Sequence, residues 1–139
     1  MDRDFPAIDF TAFHQQQLPA LLEQGRGELA ARAAAGLAPL AFRVGGKAFT
    51  YQVGDETVAI VEGESSAGTV IGLAANSWQD LVHDLESAPG LIYNNLLESV
   101  TGDAFELMRW EPALRAMYSG IPPYDPSMAE LTDRSEEHT

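Results

Sequence analysis

The chain carries three histidines, His14, His83 and His138, and only His83 stands among acids, in the run Asp80-Leu81-Val82-His83-Asp84. On a helix Asp80 and His83 fall at i, i+3 on one face, which sets a carboxylate beside an imidazole. Two ligands on one turn could start a metal site, but such a site needs converging ligands and no second pair has a matching spacing. These charges therefore read as the solvated face of an amphipathic helix. Ser65-Ser66 lies in a loop with no neighbouring histidine and no G-x-S-x-G around it, so nucleophilic catalysis has no motif. The carboxylate pairs Glu62/Glu64 and Asp55/Glu56 sit in turns and read as surface acids. Gly63, Gly68 and Gly72 are followed by no lysine, the only one being Lys47, and make no phosphate loop. The residues that could do chemistry thus give no active site. The expectation is a protein that is not an enzyme and uses no metal or cofactor.

Composition narrows the classes further. The 139 residues hold 21 acidic and 8 basic side chains, a formal charge of -13. Such a chain repels phosphate backbones and is expected to bind no nucleic acid. There is no cysteine, which excludes a disulfide scaffold and thiolate metal sites. No apolar run is long enough to span a bilayer, and the start MDRDFPAID has acids where a signal peptide wants bases. A cytoplasmic protein without stable membrane insertion is expected. At 45% apolar, the chain can bury a core as one domain.

The periodic pattern occupies residues 18–120. Residues 1–17 read as a polar leader, and 121–139 as a Pro-rich linker and acidic tail. Leu18-Pro19 reads as the entry of a helix that ends at Gly36, where a left-handed stop is expected. LAFRV (40–44), Gly45-Gly46 and KAFTYQV (47–53) predict a hairpin with a two-residue primed turn. TVAIVE (57–62) is apolar on both faces and reads as a central strand, and TVIGLAA (69–75) reads as a fourth strand of an antiparallel meander. Ser77 is expected to cap a helix whose face carries Trp78, Leu81, Val82 and Leu85. SAPG (87–90) breaks it, and Leu97 to Gly102 suggests a last short strand. Asp103, with Glu106 at the box position, caps a further helix in which Pro112 forces a kink or a new start before Gly120. The fold class is α+β: an antiparallel sheet of about five strands covered by helices.

The C-terminal half carries more large apolar side chains than three short helices need. Two readings stand open. They form a core against the sheet, or they line an apolar cavity between sheet and helices.

The order of elements, together with GTVIGLAANSWQDLVHDL, a break, and ESVTGDAFELMRW, resembles the sterol carrier protein type-two family. Asn76-Ser77 matches the cap after the fourth strand, Thr101-Gly102-Asp103 the turn into the next helix, and Met108-Arg109 the Met–base pair within it. The resemblance covers residues 18–120. It implies a hydrophobic tunnel that binds fatty acid, fatty acyl-CoA or a sterol-like lipid without chemistry. Carried across by position, the tunnel wall would be Trp78, Val82, Leu85, Leu91, Leu96, Phe105, Met108 and Trp110; Arg109 or Arg115 either holds a carboxylate head or forms a surface ion pair with Glu106 or Glu111. Arg43 and Lys47 are the other bases a CoA phosphate could meet. The stretch RWEPALRAMYSGIPPYDP further resembles the end of the N-terminal domain of bacterial phytanoyl-CoA dioxygenase-type proteins, which implies an oxygenase as partner. The other class of function left open is a docking or homodimerising module with no cavity.

Overall fold

The computed structural model describes residues 8–64 and 66–121. The expected tail from Pro122 and the leader up to Ala7 lie outside them. Helical structure begins eight residues before the expected entry at Leu18. Asp9 accepts the Ala12 N–H at 2.8 Å and opens α1 (Phe10–Ala12), and a π-helical turn (Phe13–Gln17) leads into α2 (Leu18–Leu21). The reason is an aromatic face: Phe10, Phe13 and His14 fall at i, i+3, i+4 and all three are buried. The π turn ends where the chain needs it. Leu18 N–H reaches back to the Phe13 carbonyl, immediately before Pro19, which has no N–H to give. A second π turn (Leu22–Arg26) precedes α3 (Gly27–Ala33) and contains a break, with Gln24 at φ -85°, ψ 17° and Gly25 at φ 97°, ψ -13°. Past α3, Gly36 is left-handed (φ 82°), as the stop signal predicts.

The hairpin forms as its turn dictates. β1 (Leu40–Val44) and β2 (Lys47–Val53) pair from Val44↔Lys47 to Leu40↔Tyr51, with Gly45 at φ 62° in the turn. β3 (Val58–Glu62) pairs with β2 but forms an edge of the sheet, whose order is β3-β2-β1-β4-β5. The central positions go to β1 and β4 (Thr69–Leu73), and every residue of β4 is buried. β4 runs parallel to β1, from Leu40↔Thr69 to Arg43↔Gly72, and β5 (Leu97–Thr101) closes the far edge antiparallel to β4. The sheet is therefore mixed, and the expected meander is corrected at one connection. The loop after β3 crosses the outer face rather than turning back along the edge. Thr50 donates to the Gly63 carbonyl at 2.7 Å, Arg43 grips Glu64, and Gln52 reaches Ser66 at 2.9 Å. Arg43, Thr50 and Gln52 all point outward, so the crossover covers the middle of that face, where Ala41 and Thr50 are fully buried.

The helices cover the inner face: α4 (Ala75–Val82), α5 (Ala88–Tyr93) and α6 (Phe105–Ser119). Ser77 lies inside α4, which starts behind Ala74 with no side-chain cap, whereas Ser87 caps α5 through the Gly90 N–H at 3.0 Å. Asp103 accepts the Phe105 N–H at 2.9 Å, but Glu106 pairs with Arg109 instead of completing a box. α6 runs unbroken through Pro112. A proline in a helix costs about 3 kcal/mol, and burial of a large apolar side chain contributes about 1.5–3 kcal/mol. Leu107 and Trp110 before the proline, and Leu114 and Met117 after it, are all fully buried, so packing outweighs the lost bond. The helix ends at Gly120, left-handed at φ 70°.

Candidate functional site

Alternation on β2 turns Phe49 and Tyr51 toward the helices, beside Phe42 of β1. α4 brings Trp78 over them, and α6 brings Trp110 and, two turns later, Tyr118. The N-terminal face supplies Phe10, Phe13 and His14. The His14 ring stacks on Phe49, with centroids 4.6 Å apart and planes 6° from parallel. Phe10 meets Trp78 edge-on at 4.9 Å. Phe13 touches both Trp78 (5.3 Å) and Tyr118 (5.7 Å), again edge-on.

A polar chain threads this aromatic interior. His14 Nδ1 lies 2.8 Å from the Phe10 carbonyl, which can only accept, so Nδ1 carries the proton. Nε2 is then an acceptor, and the Tyr51 hydroxyl donates to it at 2.6 Å. With its own proton committed, Tyr51 accepts from the Tyr118 hydroxyl at 2.5 Å. The chain has one direction, from Tyr118 through Tyr51 and His14 to Phe10. Burial lowers the His14 pKa from 6.5 to about 4 against the smaller upward pull of the Phe10 carbonyl, so the ring is neutral at physiological pH. Burial raises Tyr51 well above the usual phenol value, and Tyr118 adds to that; burial raises Tyr118 too. The Trp78 indole N–H is buried and faces the Tyr118 oxygen outside good hydrogen-bond geometry, and as a donor to that oxygen it opposes the rise. The Trp110 indole N–H, by contrast, donates to the Ala38 carbonyl at 3.0 Å. The interior is neutral throughout. At its margin, the Arg26 guanidinium binds the Met117 and Tyr118 carbonyls at 3.0 and 3.2 Å, tying the base of the broken N-terminal helix to the end of α6.

The expected wall residues divide. Trp78, Val82, Leu91 and Trp110 are buried, and Met108 packs against the core from a partly exposed position. Leu85, Leu96 and Phe105 are at the surface, 49%, 38% and 48% exposed, and do not line the interior. α4 ends at Val82, so the helical spacing that put Leu85 on its inner face does not reach it. Phe105 is the first residue of α6, at its outer corner. Arg109 is exposed and bound to Asp103 and Glu106, and Arg115 grips Asp84 with two bonds of 3.2 Å. Neither arginine faces the buried aromatics. Among the described residues no three His, Cys, Asp or Glu side chains converge on a metal position. An open cleft of about 940 Å³ lies between α3 and the β2–β3 turn, but its rim bears Glu23, Glu28, Asp55 and Glu56 and none of the expected wall. Sequence reasoning missed His14, Tyr51 and Tyr118 as a unit. The signal within reach was Phe10-x-x-Phe13-His14, a helical face inside a segment that reads as polar because Gln15-Gln16-Gln17 follows it.

No family model and no curated protein matches the sequence. The fold does have solved counterparts. Sterol carrier protein 2 from Yarrowia lipolytica superposes with a TM-score of 0.57 at 14% identity, over 83% of this chain and 99% of that one. The fold is SCP2-like. Two further structures agree: UbiJ-SCP2, a ubiquinone synthesis protein (TM-score 0.54, 17% identity, 77% of this chain and 93% of that one), and a Thermus thermophilus protein described as possibly a sterol carrier protein (0.54, 18%, 83% and 93%). Among the described residues no helix is long and apolar enough to cross a membrane.

Proposed function

We propose that this SCP2-like chain is a non-catalytic binding domain for an apolar small molecule, held between the helices and the inner face of the sheet. The observation that carries this reading is the interior itself: aromatic, uncharged, and covered by an N-terminal helix with two π turns and a break at Gln24–Gly25. The likeness to sterol carrier proteins supports it. A fatty acid, a fatty acyl-CoA or a sterol-like lipid is the ligand class, and burial at about 0.8 kcal/mol per methylene drives binding. The outward arginines, already paired with acids, make the CoA ester the weakest of these ligands. Presentation of the bound molecule to an oxygenase is the role we assign.

The test is a titration of intrinsic tryptophan fluorescence with a long-chain fatty acid and, separately, with its CoA ester. A saturable change at micromolar concentration is expected for the acid, because Trp78 lies in the aromatic interior. No change up to the solubility limit of either ligand refutes the reading. A second reading, docking or dimerisation, is favoured by the exposure of Tyr93 (71%) together with Leu85, Leu96 and Phe105. Sedimentation at increasing concentration, and binding to an oxygenase partner without added lipid, separate the two.

A further inference from the structure

We propose that the free edge of β3 and the acidic cleft at its start form one docking surface for an extended segment of another protein, apolar at its centre and rich in Lys or Arg at its ends. The surface lies outside the aromatic interior and does not depend on an apolar ligand being bound there.

The two edges of the sheet differ. At β5 the pairing with β4 shifts register between Gly72 and Leu73, and Glu98 is the residue skipped. That edge thus carries a bulge and a charge, two devices that keep foreign strands away. β3 has neither. It pairs with β2 in unbroken register from Val53↔Val58 to Phe49↔Glu62, and its first four residues are Val58, Ala59, Ile60 and Val61. Ala59 and Val61 share the outer face with Gln52 and Thr50, and Val58 and Ile60 share the inner face with Val53 and Tyr51. A strand apolar on both faces has the composition of a central strand, yet this one stands at an edge. Ala59 and Val61 are exposed, and among the described residues the sheet ends at β3. Alternate residues of an edge strand turn their N–H and C=O groups away from the sheet, where an added strand can pair with them.

Charge decides the occupant. The cleft adjoins the start of β3: Thr57 lines it, and Gly27 at the start of α3 packs so closely on Thr57 that a Cβ there would overlap its hydroxyl. The Gly54 N–H donates to the Thr57 carbonyl at 2.8 Å and closes the turn that presents Asp55 and Glu56, both exposed. Glu23 and Glu28 stand on the helical side of the cleft, and the only base in its lining, Arg32, is bonded to Glu28 at 3.1 Å. Glu62 closes the far end of the strand. A second copy of this chain fits badly. Antiparallel pairing about Ile60 sets Glu56 of each copy against Glu64 of the other, between molecules that each carry a net charge of -13. Bases at the ends of an incoming strand meet opposite charge instead.

The experiment uses the full chain, 15N-labelled, and as probe the acetylated, amidated peptide Lys-Arg-Val-Thr-Val-Thr-Val-Arg-Lys. One control has Pro in place of the central Val, and another has Glu in place of every base. The probe is expected to shift the amide resonances of Val58–Glu62 saturably and to slow the exchange of alternate ones. The Pro control should bind at least about fivefold more weakly, the worth of one backbone hydrogen bond, and the Glu control should not bind. Asp55→Asn combined with Glu56→Gln should weaken the probe about fivefold, and added salt should weaken it in the unaltered protein. Equal binding of the probe and the Pro control, or shifts that leave β3 untouched, overturn the proposal. So do β3 amides that become protected when the protein is concentrated alone, since the occupant is then a second copy. The fatty-acid titration reports on the interior and not on β3, so the apolar-ligand reading stands or falls separately.

Discussion

Removing the Tyr51 hydroxyl should cost far more stability than removing the Tyr118 hydroxyl, although the two share a bond. In Tyr51→Phe two buried groups are orphaned: His14 Nε2 loses its donor at 2.6 Å, and the Tyr118 O–H loses its acceptor at 2.5 Å. Each orphaned buried group costs about 1–3 kcal/mol, so the sum is about 2–6 kcal/mol. That is a large share of the roughly 5–15 kcal/mol that holds a domain together. In Tyr118→Phe the Tyr51 proton still reaches His14, and only one accepting position on Tyr51 is lost, which costs about 1 kcal/mol. The double variant should be no less stable than Tyr51→Phe alone, because deleting the Tyr118 hydroxyl removes one of the two orphans. Urea unfolding followed by far-UV circular dichroism and tryptophan fluorescence measures all three, provided the slope with urea is unchanged. A Tyr118→Phe protein as unstable as Tyr51→Phe, or a double variant less stable than either, would mean that the chain does not run in the stated direction.

Four further outcomes are expected. The folded pKa of His14 is depressed to about 4, so the unfolded chain binds the extra proton below pH 6.5 and stability falls as pH drops from 6.5 toward 4. The loss reaches about 3 kcal/mol at pH 4, and the difference between wild type and His14→Gln across that window isolates it from the carboxylates both proteins share. Gly102→Ala should destabilise more than Gly25→Ala in the same urea assay. Both positions have positive φ, but a Cβ at Gly102 would stand 2.5 Å from the Gly68 carbonyl, whereas one at Gly25 meets nothing within 4 Å and carries only the strain of about 1–2 kcal/mol. Leu91→Ala should cost about 2–5 kcal/mol and Leu85→Ser or Phe105→Ser within about 0.5 kcal/mol, by thermal melting; a costly Leu85→Ser would put that side chain back in the interior. Trp110→Phe leaves the Ala38 carbonyl without its donor and should cost about 1–3 kcal/mol, seen as a lower urea midpoint.

What was legible in the sequence was local. The Gly45-Gly46 turn, the alternation of Phe49, Tyr51 and Val53, and the Gly120 stop are each decided within a few residues, and each is where the pattern put it. The neighbours of β4 were not legible. Val58 to Glu62 and Thr69 to Leu73 look equally apolar as strings. Which one becomes central depends on the crossover held by Thr50, Arg43 and Gln52, an arrangement on the opposite face of the sheet. Pro112 misled because its local penalty is visible and the burial on both sides of it is not. The polar chain was hidden for the same reason: its members stand 37 and 67 residues apart and share no motif, only a meeting point. Trp78 is buried where helical spacing put it, and Leu85 is exposed because that spacing was extended past the end of α4.

The parallel pairing of β1 with β4 bears on the order in which the molecule can assemble. The β1–β2–β3 ladder needs only neighbouring turns and can form early, like any hairpin. β4 must wait for the crossover to be laid across the outer face, and a non-local parallel contact of this kind is slow to form. The interior waits longer still. Its hydrogen-bonded chain draws one member from the first helix of the described structure, one from the early hairpin and one from the last turn of the last helix. Until α6 docks, the bond from Tyr118 to Tyr51 cannot form, so this chain closes last and is not a nucleus. Substitutions in it should therefore accelerate unfolding and leave the folding rate nearly unchanged.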